Sequence, residues 1–390
     1  MNEPVILAAC RTPIGKFRGG LSLLSAPELG AVAIRAALER SGVSSNHVEE
    51  VILGNVLSAG VGQAPARQAA LKAGLPPSVA AVTINKVCGS GLKAVMLAAQ
   101  AIRVGDAHAI VAGGIESMSR APYLLSREGP AIGDRTLSDA MLGDGLACPF
   151  SGRSMGQIAE ALATADGITR ADQDAYACES HRRAIHAQAQ GWFDNEIVPV
   201  TVPSRGGTQV ITRDEGPRTD CDLSRLSNLR AAFANDGTVT PGNSSMISDG
   251  AAAVVVTSQE FASTQGLRPL ARIVASATAG TEPGDLFIAP VIAIQKVIAQ
   301  AKVMLSDIDL FEINEAFAVQ MLACIRRLGL SSENTNVNGG AIALGHPLGA
   351  SGARVLTTLI HTLVQRQARF GVAALCLGGG NAVAMLVERM

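Results

Sequence analysis

Residues 85–114 decide the fold that the sequence predicts, and they read NKVCGSGLKAVMLAAQAIRVGDAHAIVAGG. It opens with a glycine-rich turn and continues into an apolar segment, residues 92–104, which is typical of a buried helix. The apolar run 109–113 then predicts a buried strand that ends in a second glycine turn. This alternation of helix and strand indicates an α/β fold, in which a parallel sheet is covered by helices on both faces.

The same order of elements returns near the end of the chain. Residues 349–352, GASG, open a second apolar helix that leads to an apolar strand and a glycine turn at 374–379. Strand patterns at 4–9 and 51–54 and a helix pattern at 26–40 extend the alternation toward the N-terminus. We expect an internal duplication into two pseudo-symmetric halves, although any two strand–helix–strand units share part of this pattern.

A more polar and less regular segment separates the two halves. It predicts a loop-rich insertion with one helical stretch at 170–190, after which a strand at 252–257 restores the α/β pattern. We therefore expect a first half over residues 1–117, completed by about 249–265, an insertion over 118–248, and a second half over 266–390.

Composition excludes several classes of protein. Of 390 residues, 48% are hydrophobic and 17% are charged, which is not the composition of a disordered chain. The net charge of −1 and the 3% of aromatic residues argue against nucleic-acid binding. No window reaches the roughly 18 apolar residues of a membrane span, so we expect no membrane segment.

Seven cysteines occur without a CxxC pair, which argues against a disulfide framework or a structural zinc site. A reducing compartment fits best, and the N-terminus shows no basic region followed by an apolar one. We expect a cytoplasmic protein.

Cys88 is the first candidate for catalysis, because glycines crowd it at a predicted strand-to-helix turn. Unpaired N–H groups and the positive end of the helix dipole favour the thiolate, which is the nucleophilic form. A buried structural cysteine is the alternative.

His346 is the candidate base, since five glycine and proline residues surround it in the segment 338–349, before a predicted helix. A helix N-terminus disfavours imidazolium, so a neutral imidazole is expected there. A loop histidine without a catalytic role is the alternative, and we prefer that interpretation for the five other histidines, in ordinary polar or helical surroundings: His47, His108, His181, His186 and His361.

Two weaker candidates lie at predicted element ends. Cys376 ends an apolar strand, where sites in parallel sheets collect, although a core cysteine fits equally well. Asn314 precedes a helical pattern, and a residue of this type there is usually an N-cap. Metal binding by Cys88, His346 and Cys376 is disfavoured because no two of them form a short chelating pair.

Two further motifs accompany these segments, RTPIG at 11–15 and GGIESMS at 113–119. With them, the sequence resembles the thiolase family over essentially the whole chain. The resemblance implies a five-layered αβαβα fold of two halves, with the insertion as a loop domain that covers CoA. It also implies a homotetramer with contacts from residues 120–142, and no cofactor, because CoA thioesters are the substrates.

The resemblance assigns roles to the candidates. Cys88 would carry an acetyl group as a thioester, His346 would take its proton, and Cys376 would act as acid and base at the α-carbon. Asn314, through a water, and His346 would stabilise the enolate. Backbone N–H groups of Cys88 and Gly378 would form a second oxyanion hole.

Contacts to CoA are implied in the same way. The motif DEGPR at 214–218 implies Arg218 near the nucleotide, and PGNSS at 241–245 implies Ser245 at the pantetheine chain. The acyl end would be lined by four apolar residues: Leu146, Met155, Phe233 and Phe317.

The implied function is acetyl-CoA C-acetyltransferase, which condenses two acetyl-CoA or cleaves a 3-ketoacyl-CoA with CoA. Ser154 stands where short-chain synthetic members have histidine, so a 3-ketoacyl-CoA thiolase of fatty-acid β-oxidation with longer substrates is the alternative. A decarboxylating ketoacyl synthase would need a second histidine at position 314 and no Cys376. An inactive CoA-binding protein is disfavoured because all four chemical residues are present.

Overall fold

The computed structural model describes residues 2–129, 132–204 and 206–390. Residues 130 and 131, part of the predicted contact segment 120–142, lie outside the described residues, as does Arg205 of the insertion.

The first half alternates strands and helices as its sequence predicts. The helix over Ala26–Ser41 begins at a capping box of Ser25 and Glu28 and ends at Gly42 with a positive φ of 71°. The elements, in chain order, are β1 (Pro4–Arg11), β2 (Gly15–Lys16), α1 (Ala26–Ser41), β3 (Glu50–Gly54), α2 (Pro65–Lys72), β4 (Ala80–Ile84), α3 (Ser90–Val104) and β5 (Ala109–Ser117).

The insertion holds more helix than predicted. Its elements are β6 (Tyr123–Leu124), β7 (Ser138–Asp139), a π-helical turn (Met141–Leu146), α4 (Met155–Asp166), α5 (Arg170–Ala189), β8 (Val200–Ser204), β9 (Gly207–Ile211) and α6 (Leu223–Ser227). The expectation of one helical stretch is therefore wrong. The missed helix α4 has a local signal, a capping box of Ser154 and Gln157.

The second half repeats the alternation and contributes the remaining strands. Its elements, with the strand that completes the first half, are β10 (Ser248–Ser258), α7 (Gln259–Thr264), β11 (Ala271–Gly280), α8 (Ala289–Ala301), β12 (Leu310–Ile313), α9 (Ala318–Leu328), α10 (Ala341–Leu344), α11 (Leu348–Arg366), β13 (Phe370–Leu377) and β14 (Asn381–Arg389).

The sheet is mixed, which corrects the prediction of a parallel one. Its order is β12-β13-β14-β11-β1-β10-β5-β3-β4, with β2 on β10. Among the strand pairs of the described residues, β3 with β4, β3 with β5, and β12 with β13 are parallel, and helices lie between these strands along the chain. The pair β13–β14 is antiparallel because three glycines, 378–380, close it as a hairpin.

Strand order supports the predicted duplication. Numbered within each half, with the two-residue strand β2 left out, the first-half strands β4, β3, β5, β10 and β1 lie in the order third, second, fourth, fifth, first. The second half has the same order, with its third strand reduced to a bridge between Thr335 and Phe311. The first strands of the two halves, β1 and β11, pair at the centre.

Helices α3 and α11 pack against each other between the two half-sheets, while α1 and α2 cover one outer face and α8 the other. Glycines permit this close crossing, since a Cβ on Gly91 would lie 2.8 Å from Ala353 N and one on Gly352 would lie 2.3 Å from Leu92 N. The layers are thus helix, sheet, helix, sheet, helix, as expected.

Two windows, Val87–Val104 and Pro283–Ala301, are long and apolar enough to span a membrane by length and composition, which differs from the expectation of none. About half of each window, 56% and 50%, is buried inside the fold. We interpret both as core helices, because α3 and α8 pack directly on the sheet.

Candidate active site

Cys88 lies in the tight turn between β4 and α3, as the sequence predicts. Val87 adopts a positive φ of 47°, and the Ser90 hydroxyl accepts from the Lys86 N–H (2.8 Å) and donates to Val87 O (2.6 Å). These hydrogen bonds hold the turn, and the backbone N–H groups of Gly378 and of Cys88 itself face the thiol.

The charge state of Cys88 differs from the prediction of a favoured thiolate. Burial raises the pKa of the Cys88 thiol to about 12, against the opposing effect of the two N–H groups. The carboxylate of Glu116 raises the pKa further. The thiol is therefore protonated at neutral pH and needs a base to become a nucleophile.

His346 lies between α10 and α11, where its backbone N–H donates to Met246 O (2.9 Å) and Ser248 Oγ (3.2 Å). Burial, and then the Arg354 cation, lowers the pKa of His346 to about 3, so the imidazole is neutral as expected. Its Nδ1 is 2.6 Å from the Ser351 hydroxyl.

The Ser351 hydroxyl positions this imidazole, since its Oγ lies within hydrogen-bond distance of both Nδ1 and Pro347 O, the latter at 2.8 Å. When the hydroxyl donates its one hydrogen to Pro347 O, it accepts from Nδ1–H of His346. In this tautomer Nε2 keeps a free lone pair with which it can act as a base.

Cys376 is the second-last residue of β13, and Gly378 follows in the hairpin turn. Burial raises the pKa of the Cys376 thiol well above its ordinary value, and the nearby Cys88 raises it further. The two thiols thus interact electrostatically across residues far apart in sequence.

Asn314 follows β12 and is fully buried, but it is not the helix N-cap that its position suggested; Phe317 is the residue that precedes α9. Its Nδ2 lies 3.4 Å from Nδ1 and 3.5 Å from Nε2 of His346, and its Oδ1 accepts from Arg354 at 3.5 Å. Asn314 therefore contacts the imidazole rather than lining the cavity directly.

One cavity of about 750 Å³ brings the other predicted residues together. Its walls include Cys88, His346, Cys376 and Gly378, and every residue predicted to contact CoA: Arg218, Ser245, Met155, Leu146, Phe233 and Phe317. Phe317 stacks edge-to-face with Phe233 and with Phe287, at centroid distances of 6.4 and 5.3 Å. The walls near these rings are apolar and can exclude water from a reacting thioester.

Sequence reasoning missed several residues around this cavity. His181, expected to be an ordinary histidine, lines the cavity, and its Nδ1 accepts from the Arg218 N–H at 3.1 Å. Burial lowers the pKa of His181 to about 4. Its sequence context on α5 carries no signal for this role, because the contact joins the helix to a distant loop.

Glu116 also has no predicted role, although it lies in the motif GGIESMS at 113–119. Its carboxylate accepts from the N–H groups of Gly349 (2.8 Å), Val56 (3.1 Å) and Leu57 (3.2 Å), and from Asn55 Nδ2 (2.8 Å). It thereby positions the start of α11, close to His346, against the first half.

A neutral imidazole, a thiol at a helix start and a second, buried thiol in one cavity are the groups that covalent acyl transfer requires. Within residues 2–129, 132–204 and 206–390, no group of three or more His, Cys, Asp or Glu side chains could hold a metal ion. The fold and this cavity define an acyltransferase of duplicated α/β architecture.

Comparisons with known proteins identify the family. Residues 4–260 match the model of the thiolase N-terminal domain, and residues 267–389 match that of the thiolase C-terminal domain. The chain belongs to the thiolase family.

Relatives match the chain over its whole length. It is 52% identical over 393 residues to an acetyl-CoA acetyltransferase of Escherichia coli (strain K12) and 53% identical over 392 residues to one of Cupriavidus necator. Each alignment covers 100% of this chain and 100% of the relative. The Bacillus anthracis acetyl-CoA acetyltransferase structure superposes with a TM-score of 0.98 at 42% identity, covering 100% of this chain and 99% of the other. The Acat5 thiolase from Ascaris suum, in complex with coenzyme A, superposes with a TM-score of 0.95 at 45% identity over 100% of both.

Proposed function

We propose that the protein is an acetyl-CoA C-acetyltransferase, which condenses two acetyl-CoA reversibly to acetoacetyl-CoA and CoA. The observation that carries this proposal is the meeting of Cys88, His346, Cys376 and Gly378 in one cavity. The relatives of Escherichia coli, Cupriavidus necator and Bacillus anthracis are acetyl-CoA acetyltransferases, which supports the same activity.

The first half-reaction transfers the acetyl group to Cys88. Nε2 of His346 removes the thiol proton and keeps it, and the thiolate attacks the thioester carbonyl. CoA leaves as a thiolate, which needs no acid to depart, and it then takes up the proton of the Cys376 thiol. The backbone N–H groups of Cys88 and Gly378, which already face the thiol, stabilise the oxyanion. A neutral imidazole suits this step, because imidazolium could not accept the proton.

The second half-reaction forms the carbon–carbon bond. Cys376, now a thiolate, removes a proton from the α-carbon of a second acetyl-CoA, and the enolate attacks the acetyl-Cys88 carbonyl with release of Cys88. His346, through the proton that Nε2 took from Cys88, and Asn314, which lies 3.5 Å or less from the ring, stabilise the enolate oxygen. The released Cys88 thiolate takes this proton back from Nε2, and Cys376 keeps the α-proton as a thiol. The chain's own residues supply each proton transfer, so we propose that no metal or other cofactor takes part.

CoA would extend along the cavity from the thiols to its outer end. Arg218, which is exposed there, would bind a phosphate of the nucleotide, and Ser245, held by its N–H to Ala316 O (3.0 Å), would contact the pantetheine chain. The solved thiolase of Ascaris suum is described in complex with coenzyme A, which supports this class of substrate.

Mass spectrometry tests the proposal directly. Incubation with acetyl-CoA is expected to add one acetyl group, on Cys88. Cys376→Ser is expected to keep this acetylation and lose condensation, since only the second half-reaction needs the second thiol. A protein that acquires no adduct on any cysteine would refute the activity, and normal condensation by Cys376→Ser would refute the role of Cys376.

A 3-ketoacyl-CoA thiolase of fatty-acid metabolism, acting on longer chains, is the second candidate. The observation that favours it is Ser154 on the cavity wall, where its hydroxyl caps α4. A small residue there leaves room for a longer acyl group. Rates of thiolysis of acetoacetyl-CoA against longer 3-ketoacyl-CoA esters separate the two candidates, since only the second predicts a preference for long chains.

We also propose a cytoplasmic homotetramer, built as a dimer of dimers. Free cysteines support a reducing compartment. Exposed apolar residues of the segment 120–142, namely Tyr123, Leu125, Leu137 and Leu142, support a contact surface there. Light scattering after gel filtration should give about 160 kDa, four times the chain mass of 40.0 kDa.

A further inference from the structure

Two thiols outside the catalytic pair meet at the wall of the cavity. The Sγ atoms of Cys178 and Cys221 are 3.8 Å apart, and both residues are partly exposed. Cys178 lies on α5, and Cys221 lines the cavity from the loop that precedes α6. No step of the proposed reaction uses either thiol.

The loop that carries Cys221 also carries Arg218. The Cys221 N–H donates to Arg218 O (3.3 Å), so the two residues share one turn. The Arg218 N–H in turn donates to His181, which lies on α5 three residues after Cys178. The turn is therefore joined to α5 at the histidine and at the thiol pair.

We propose that Cys178 and Cys221 form a redox modification site, which a peroxide converts to a disulfide that weakens CoA binding at the Arg218 end of the cavity. The effect on CoA rests on the proposed function, whereas the formation of the disulfide does not.

The reaction is balanced with hydrogen peroxide as the oxidant. One thiolate attacks the peroxide O–O bond, forming a sulfenic acid and releasing hydroxide, which takes up the proton that the thiol lost. The second thiol then attacks the sulfenic sulfur, forms the S–S bond and releases water. Two thiols are oxidised by two electrons in all, and one peroxide is reduced to two waters.

The new bond must move the loop. A disulfide holds its sulfurs about 2.05 Å apart, so these two must approach by about 1.8 Å. Helix α5 has 20 residues and a buried face, whereas residues 218–220 are exposed. The displacement therefore falls mainly on the turn that carries Arg218, which changes the position of its guanidinium relative to the cavity.

The pair reacts slowly, which sets the conditions of the test. Burial raises the pKa of both thiols, that of Cys221 to about 12, so little thiolate is present at neutral pH. Peroxide treatment is therefore followed over hours, with peptide mapping of the non-reduced, unmodified protein. A peptide that links Cys178 to Cys221 is expected.

CoA affinity is measured by calorimetry with acetyl-CoA, which has no free thiol to reduce the disulfide, in a variant with Cys88→Ala and Cys376→Ala, which removes the other thiols of the cavity. After peroxide treatment, the Kd for acetyl-CoA is expected to rise by about threefold or more, and reduction with dithiothreitol should reverse the change. The matched control adds Cys178→Ser, which breaks the pair from outside the cavity wall, and its Kd should not respond to peroxide.

Each outcome decides a separate point. Oxidation of either thiol to a sulfinic or sulfonic acid without a linked peptide overturns the modification site. A linked peptide without a change in Kd overturns the effect on CoA. If the reduced variant binds no CoA, the proposed function has failed, and the linked peptide still decides whether the thiol pair forms a disulfide.

Discussion

The imidazole of His346 shows how single neighbours decide chemistry. In water its pKa would be about 6.5, but burial lowers the pKa to about 3, so the ring stays neutral over the whole physiological range. The hydroxyl of Ser351 contacts Nδ1 at 2.6 Å, and by accepting from Nδ1–H it favours the tautomer in which Nε2 is the base. Ser351 is a positioning residue, because it acts on the reaction only through the imidazole.

Ser351→Ala should lower kcat by about tenfold with little change in the KM for CoA, because the Nδ1 proton loses its acceptor and the tautomer is no longer fixed. Thr357→Val is the matched control on the same helix, since the buried Thr357 hydroxyl has no partner within the described residues. Steady-state thiolysis kinetics check both variants. Equal losses in the two would show that Ser351 has no special effect on His346.

Alkylation of Cys88 tests its charge state. Because burial raises the pKa of this thiol to about 12, the thiolate fraction increases with pH, and the rate with iodoacetamide should rise about tenfold per pH unit between pH 7 and 10. Peptide mapping identifies the labelled residue, and Cys88→Ser provides the blank. A rate that is already level below pH 8 would mean that the resting residue is a thiolate.

At the scale of elements, turns at the ends of strands bring the site together. Cys88 lies before α3, His346 before α11, and Cys376 at the end of β13, so three element ends point into one cavity. The crossing of α3 and α11 sets the distance between the start of α3, at Cys88, and the start of α11, at His346. Gly91 and Gly352, at matching positions of the duplicated units, allow this crossing.

Gly352→Ala should lower the free energy of unfolding by about 2 kcal/mol or more, because its Cβ would lie 2.3 Å from the backbone N of Leu92 and the two helices would have to separate. Gly284→Ala is the control, since a Cβ there meets nothing within 4 Å. Urea denaturation measures both. A Gly352→Ala protein as stable as the control would show that this helix contact is not tightly packed.

At the scale of the whole molecule, a buried ion network attaches the insertion to the first half. Arg11, at the end of β1, contacts Asp214 through two hydrogen bonds (2.6 and 2.9 Å) and Glu196 at 2.6 Å, and it is fully buried. Asp214 opens the segment that ends at Arg218, and Thr358 on α11 donates to Glu196 at 3.1 Å. One arginine thus joins β1, the insertion and α11.

Arg11→Met should reduce the free energy of unfolding by about 3–5 kcal/mol, because two carboxylates would remain buried without a cation. Arg272→Met is the control, since its pairs with Glu3 and Glu388 are partly exposed and should contribute less than about 1 kcal/mol. Urea denaturation compares the two. Similar losses would mean that the buried network does not stabilise the insertion.

Much of the fold and site could be predicted from local sequence. The glycine turns around Cys88, His346 and Cys376 and the apolar spacing of α1 and α3 act over a few residues, and the structure has those elements where the patterns predict them. Helix α4 also has a local signal, the capping box of Ser154 and Gln157, so neighbouring residues suffice to predict where it begins.

The sequence by itself determined which residues could react and where the chain turns, because backbone preferences and helical spacing depend on near neighbours. Only the tertiary structure decided that the sheet is mixed and that burial raises the pKa of Cys88 more than the helix start lowers it. It also decided that His181 lines the cavity and that Ser351 contacts His346. Desolvation and partner choice depend on residues hundreds of positions apart, which no local pattern specifies.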